Sequence, residues 1–212
     1  EHALPVTTPT AEVKSKRTTS ETTSPPGVFP SDYPPRKPPS QGEAPSEHRN
    51  SVQLVAKWAA RPLDLLQALN EHKPHVVHFS GHGSDKDELV FQADDGSTKL
   101  VSKEAIVTTM STAADNIRVV MLNACFSQSQ ARAVTKHIDI AIGMNAAIGD
   151  EAARVFAAKF YSAVGFGRSV QQAFNQGRAA LMLEGISGAD TVEIFAKDGT
   201  DPNNIILVRP PT

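Results

Sequence analysis

Cysteine is nearly absent from this 212-residue chain: there is one, Cys125. A single thiol excludes an intrachain disulfide framework and any cysteine-rich zinc site. Net charge is nearly absent too, at -2 from 21 basic and 23 acidic residues. A general binder of nucleic acid or membrane surfaces needs a basic face that this balance does not supply, so neither is expected as a direct partner. No apolar run approaches the ~20 residues that cross a bilayer. No charged n-region leads into an apolar stretch, so no targeting segment is read and a cytoplasmic location is expected. The chain starts at Glu1 and reads as a piece of a longer protein or a processed form.

Large apolar residues are scarce in one part only. Residues 1–50 hold 10 of the 15 prolines and 13 serines or threonines, and their six basic and six acidic residues cancel. Such a stretch cannot bury enough apolar surface to offset its ordering entropy. Its densest part, PSDYPPRKPP, favours extended, polyproline-like backbone. We therefore expect a disordered or extended linker over 1–50 and a folded domain over 51–212. A polyproline ligand for a partner module is the other reading of the linker. Its basic bonds in VKSKRT (13–18) and PPRKPP (34–39) are candidates for self-processing.

Past Ser51 the pattern becomes regular. VQLVA (52–56) is a short β-rich run. Pro62 suits a helix first turn, and Leu63, Leu66 and Leu69 recur at helical spacing to about His72. HVVHF (75–79) is an apolar strand ending in the turn SGHGS. LVFQ (89–92) and DDGS read as a hairpin strand and turn. Ser102 opens a helix over 102–112. RVVMLNA (118–124) and IDIAIGM (138–144) are further buried strands, with a helical stretch at 127–137 between them. Asp150 opens a long helix with Val155, Phe156, Phe160 and Val164 along one side. Ser169 caps another carrying Val170, Ala173, Phe174 and Leu181. TVEIF (191–195) and NIILV (204–208) are short β runs. Continuous apolar strands alternating with helices indicate an α/β fold with a mostly parallel sheet covered on both faces. In such sheets functional residues gather beyond the carboxyl ends of the strands. That selects SGHGS, ACFSQSQ and NAAIGDE.

The first two segments carry a base and a nucleophile. His82 lies just past one strand and Cys125 just past the next core strand. Cys125 precedes a helix whose free N–H groups and positive end would lower a thiol pKa. A nearby imidazole would complete an activated thiolate. The N–H groups of Gly83 and Cys125 are candidates for an oxyanion hole. Taken singly, Cys125 also reads as an inert buried thiol and His82 as a loop histidine. The pair at two adjacent strand ends favours chemistry.

VVHFSGHG (76–83) with VVMLNACFS (119–127) resembles the paired signature of clan CD cysteine peptidases, the caspase and separase group. With GMNAAIGDEAARVFAAKFYSAVGFGRSVQQAF (143–174), the chain resembles the CHAT domain, over roughly residues 52–209. The resemblance implies a caspase-like fold, with His82 as general acid or base and Cys125 as nucleophile. It implies peptide cleavage through an acyl-enzyme, with neither metal nor organic cofactor. It also implies a protein substrate and a sensor or regulatory module, upstream or in trans, as in bacterial defence or signalling systems. Similar domains begin with an additional N-terminal strand and helix, where this chain has its Pro/Ser/Thr-rich segment. A CHAT-like interaction module with an idle dyad, or a cysteine hydrolase acting on a non-peptide substrate, are the alternatives.

The third strand end carries Met144, Asn145 and Asp150, where the clan places part of its primary specificity pocket. An acidic residue there suits arginine or lysine, so cleavage after a basic residue is expected. Asp150 also reads as a plain helix N-cap, and the two roles are compatible. His78 and His82 share the spacing of the zinc histidines in HExxH. They lack its glutamate and its helix, so His78 reads as a packed strand residue or a neighbour of His82. Tyr161 reads as the polar edge of the Phe156 and Phe160 stripe.

Overall fold

The computed structural model describes residues 52–209. In chain order these form α1 (Pro62–His72), β1 (Val76–Ser80), β2 (Glu88–Gln92), β3 (Thr98–Ser102), α2 (Lys103–Ser111), β4 (Val119–Asn123), α3 (Gln128–Val134), β5 (Ile140–Met144), α4 (Asp150–Gly165), α5 (Val170–Leu183) and β6 (Val192–Ala196). The expectations for the linker lie outside the described residues.

The main sheet has the order β1-β4-β5-β6. Its first three strands are parallel and β6 runs antiparallel to β5. β2 and β3 form a separate antiparallel hairpin. Every residue of β4 and β5 is buried, because strands covered on both faces have no solvent side. Alternation along β4 divides the side chains between two cores. Val119 and Met121 join Ile140, Ile142, Phe156, Phe160 and Leu181 under α4 and α5. Val120 and Leu122 join Leu69, Leu89, Ile106, Met110 and Val134, from α1, β2, α2 and α3. The fold is thus α/β with a mostly parallel sheet and helices on both faces, as the alternating pattern predicts.

Local signals set several boundaries. The Ser102 hydroxyl accepts the Ala105 N–H at 3.3 Å and starts α2. Ser169 and Gln172 form a reciprocal capping box that starts α5. α4 and α5 pack closely because Gly177 leaves room for Phe156: a Cβ there would sit 2.7 Å from two ring carbons.

Five expectations change. Residues 52–56 form no strand, and Val52, Leu54 and Val55 are exposed. The inner face of α1 is Leu65 and Leu69, spaced four apart, while Leu63 points to solvent. Asp150 is the first residue of α4 and Gly149 is its N-cap. The helix expected over 127–137 ends at Val134. Residues 204–208 give one bridge, between Ser169 and Ile206, preceded by a short 3-10 turn at Pro202–Asn204. Among the described residues β1 ends the sheet, so the additional strand of similar domains is not found there. No described helix is long and apolar enough to cross a membrane.

Candidate active site

Parallel pairing of β1 with β4 runs in register to its last pair, Ser80 with Asn123. His82 and Cys125 each lie two residues beyond that pair. Forty-three residues of sequence separation are thereby closed by register alone. The two turns then touch. The Gly81 N–H donates to the Asn123 carbonyl at 3.3 Å. A Cβ on Gly83 would lie 2.1 Å from the Cys125 carbonyl oxygen, so only glycine allows this approach. The hairpin holds the His82 turn from the other side. Val90 N–H donates to the His82 carbonyl at 3.0 Å, and Ser84 N–H to the Glu88 carbonyl at 2.9 Å. This bridge makes no use of the Gly83 N–H. Cys125 is half-buried and His82 exposed, so both are open to solvent rather than sealed in a core.

The Cys125 turn is held in an unusual shape. Phe126 has φ +56°, a left-handed conformation costly for a bulky residue. Its N–H donates to the Ala146 carbonyl at 3.3 Å. Ser127, fully buried, stands at the N-cap position of α3 without capping it. Its hydroxyl donates to the Leu122 carbonyl at 2.7 Å and accepts the Met144 N–H at 3.0 Å. It therefore ties the end of β4 to the end of β5. The Cys125 sulfur makes its polar contact with the Ile148 carbonyl, at 3.9 Å. That contact is with the β5–α4 loop, where sequence reasoning expected helix N–H groups.

The residues expected in the specificity pocket separate. Met144 is fully buried in the core under α4 and α5 and presents no side chain to solvent. Asn145 is exposed, and its amide donates to Glu193 at 2.8 Å and to the Asp190 carbonyl at 3.2 Å. Asp150 is exposed in the first turn of α4. Glu193, which sequence reasoning passed over, also accepts the Gln128 amide at 2.7 Å. The usable signal was small: it is the one charged residue in the apolar run TVEIF. Asn123, at 5% exposure, donates to the Ala153 carbonyl at 3.1 Å and fixes α4 over β4.

His78 keeps solvent contact along the sheet edge while its ring stacks on Tyr161, centroids 5.6 Å apart. Desolvation of the ring, although the residue as a whole is exposed, pushes its imidazole below the ordinary value, and burial pushes the Tyr161 phenol up. His78 thus belongs to the packing, next to the α4 stripe. Among the described residues no three histidine, cysteine, aspartate or glutamate side chains converge on a point that would hold a metal.

The chain is similar to known proteins over much of its length. The profile of the family described as CHAT domain matches residues 40–187. A Roc-COR-CHAT protease from a prokaryote of unknown identity is 27% identical over 113 residues, covering 50% of this chain and 11% of that protein. A probable protease from Gillisia limnaea is 28% identical over 96 residues, covering 44% of this chain and 17% of that protein. The chain therefore spans less than a fifth of the length of these curated relatives. A secreted C11 cysteine protease from Bacteroides thetaiotaomicron, solved with an irreversible peptide inhibitor, aligns with a TM-score of 0.45 at 12% identity. That alignment covers 64% of this chain and 43% of the other.

Proposed function

The chain belongs to the CHAT domain family, and from that premise we propose that it is a cysteine endopeptidase with Cys125 as nucleophile and His82 as its acid–base partner. The observation that carries the reading is the register of β1 and β4, with Gly83 seated against the Cys125 carbonyl. It puts an imidazole and a thiol on touching turns at the carboxyl end of a parallel sheet.

The steps follow from these groups. His82 takes the thiol proton, and the thiolate attacks the scissile carbonyl carbon. The resulting oxyanion is held by the N–H groups of Gly83 and Cys125. His82 returns the proton to the leaving amine as the C–N bond breaks, which leaves a thioester on Cys125. A water gives its proton to His82 and attacks the thioester. The carboxylic acid departs and the thiol is restored. Gly83 supports this scheme twice: its lack of a side chain permits the approach, and its N–H is outside the β-bridge.

Cleavage after a basic residue is part of the proposal, supported by the acidic side chains around the β5 and β6 ends. Control by an attached or separate module is also part of it. A curated relative is named a Roc-COR-CHAT protease, and the matched segment is 11% of that protein. A role as a regulated effector in bacterial defence or signalling fits such an arrangement. The test is mass spectrometry of new N-termini in a bacterial lysate treated with wild-type or Cys125→Ala protein. Cleavages after arginine or lysine that vanish in the variant are expected. Identical termini in both samples contradict the proposal, and cleavages after aspartate contradict its specificity.

A further inference from the structure

Three carboxylates stand near the end of the β5–β6 pair: Asp150, Asp190 and Glu193. Asp190 is taken by Arg178, which donates to it at 2.6 Å and to the Ala189 carbonyl at 2.7 Å. Asp150 is exposed on the first turn of α4, where it complements the helix dipole. Glu193 is different. It is half-buried, and both of its oxygens are held by neutral amides, one to Gln128 at 2.7 Å and one to Asn145 at 2.8 Å. Neutral donors fix a carboxylate in place without cancelling its charge. An ionised carboxylate has about four acceptor sites, so two stay open. Among the described residues no lysine or arginine is within ion-pair distance of it. Arg132, on the same face of the sheet, is stacked over Phe195 instead, 4.9 Å from the ring centre.

The two amides tie this carboxylate to the proposed catalytic turn. Gln128 is three residues past Cys125 and begins α3. Asn145 directly follows β5. Gly143, the register partner of Glu193, explains the convergence. A Cβ on Gly143 would lie 2.7 Å from the Ala131 side chain and 2.8 Å from the Ser127 carbonyl. Its absence lets the start of α3 settle against β5 and brings Gln128 over Glu193.

We propose that Glu193 is the residue that reads the basic side chain of the substrate, a role that rests on the endopeptidase reading above and moves specificity from Asp150 to β6. The substrate guanidinium or ammonium donates to the open acceptor sites of Glu193, bidentate in the case of arginine. Gln128 and Asn145 act as positioning residues for the carboxylate.

The test compares two peptides that differ only in arginine or citrulline before the scissile bond, since citrulline keeps the shape and lacks the charge. The ratio of their kcat/KM values does not depend on the fraction of folded enzyme. Wild-type full-length protein is expected to favour arginine. In Glu193→Gln the ratio is expected to fall at least about tenfold, as the loss of a charged hydrogen bond requires. Glu193→Asp, which keeps the charge, is expected to retain most of the preference, and Asp150→Asn all of it. A Glu193→Gln ratio within about twofold of wild type overturns the assignment while the endopeptidase reading stands. A wild-type ratio near one overturns the basic-residue preference along with it. No turnover of any peptide by wild type overturns both readings.

Discussion

At the scale of single residues, the candidate site depends on what is missing from Gly83. Any side chain there meets the Cys125 carbonyl oxygen at 2.1 Å, and a backbone atom cannot swing aside as a side chain can. Gly83→Ala is expected to push the two turns apart and to lower kcat/KM by about a hundredfold, with the fold retained. Steady-state kinetics beside circular dichroism check this, and an active alanine variant contradicts the close approach. His78 offers a test of packing through pH. Desolvation of its ring in the fold holds the imidazole below its ordinary value of 6.5. As pH falls, the unfolded chain binds the proton first. The contribution to stability is therefore complete above the unfolded value and is lost as pH drops below it, toward the folded value. His78→Phe keeps a ring on Tyr161 and removes that titration. Its unfolding midpoint is expected to fall less than that of wild type between about pH 7.5 and pH 5.5. Parallel falls in the two proteins contradict the burial effect.

At the scale of elements, α4 and α5 depend on another close approach. Alanine at Gly177 would overlap the Phe156 ring, whose carbons lie 2.7 Å from the added Cβ. Gly177→Ala is expected to cost about 1–3 kcal/mol by overpacking, despite the better helix propensity of alanine. Chemical denaturation measures it, and a gain in stability contradicts the close contact of Gly177 with Phe156. The parallel strands and their helices were legible because burial on both faces leaves continuous apolar runs, as in Val119–Asn123 and Ile140–Met144. Their order and pairing made the turns at His82 and Cys125 neighbours, which sequence reasoning anticipated from the strand-end rule. Other features were not legible, for distinct physical reasons. Residues 52–56 have β propensity but no partner strand among the described residues, and propensity alone does not make a strand. Ser127 stands at the N-cap position of α3, yet its hydroxyl serves two strand ends instead, which no local pattern announces. Met144 sits on a strand end, but alternation turns it into the core. Glu193 meets Gln128 and Asn145 only because β6 returns antiparallel beside β5, a pairing that no local pattern encodes.

At the scale of the whole molecule, the folded region supplies a two-faced sheet whose carboxyl edge gathers three segments far apart in sequence: the His82 turn, the Cys125 turn and the loop from Asn145 to Gly149. These segments are proposed to form one centre in which His82 activates Cys125. This activation is tested most directly by treating the full chain with a peptide acyloxymethyl ketone carrying arginine next to the warhead, followed by intact mass and peptide mapping. A single adduct on Cys125 is expected in wild type, absent in Cys125→Ala and formed at least about tenfold more slowly in His82→Ala. Equal labelling rates in wild type and His82→Ala, or no adduct on Cys125 in wild type, would contradict it.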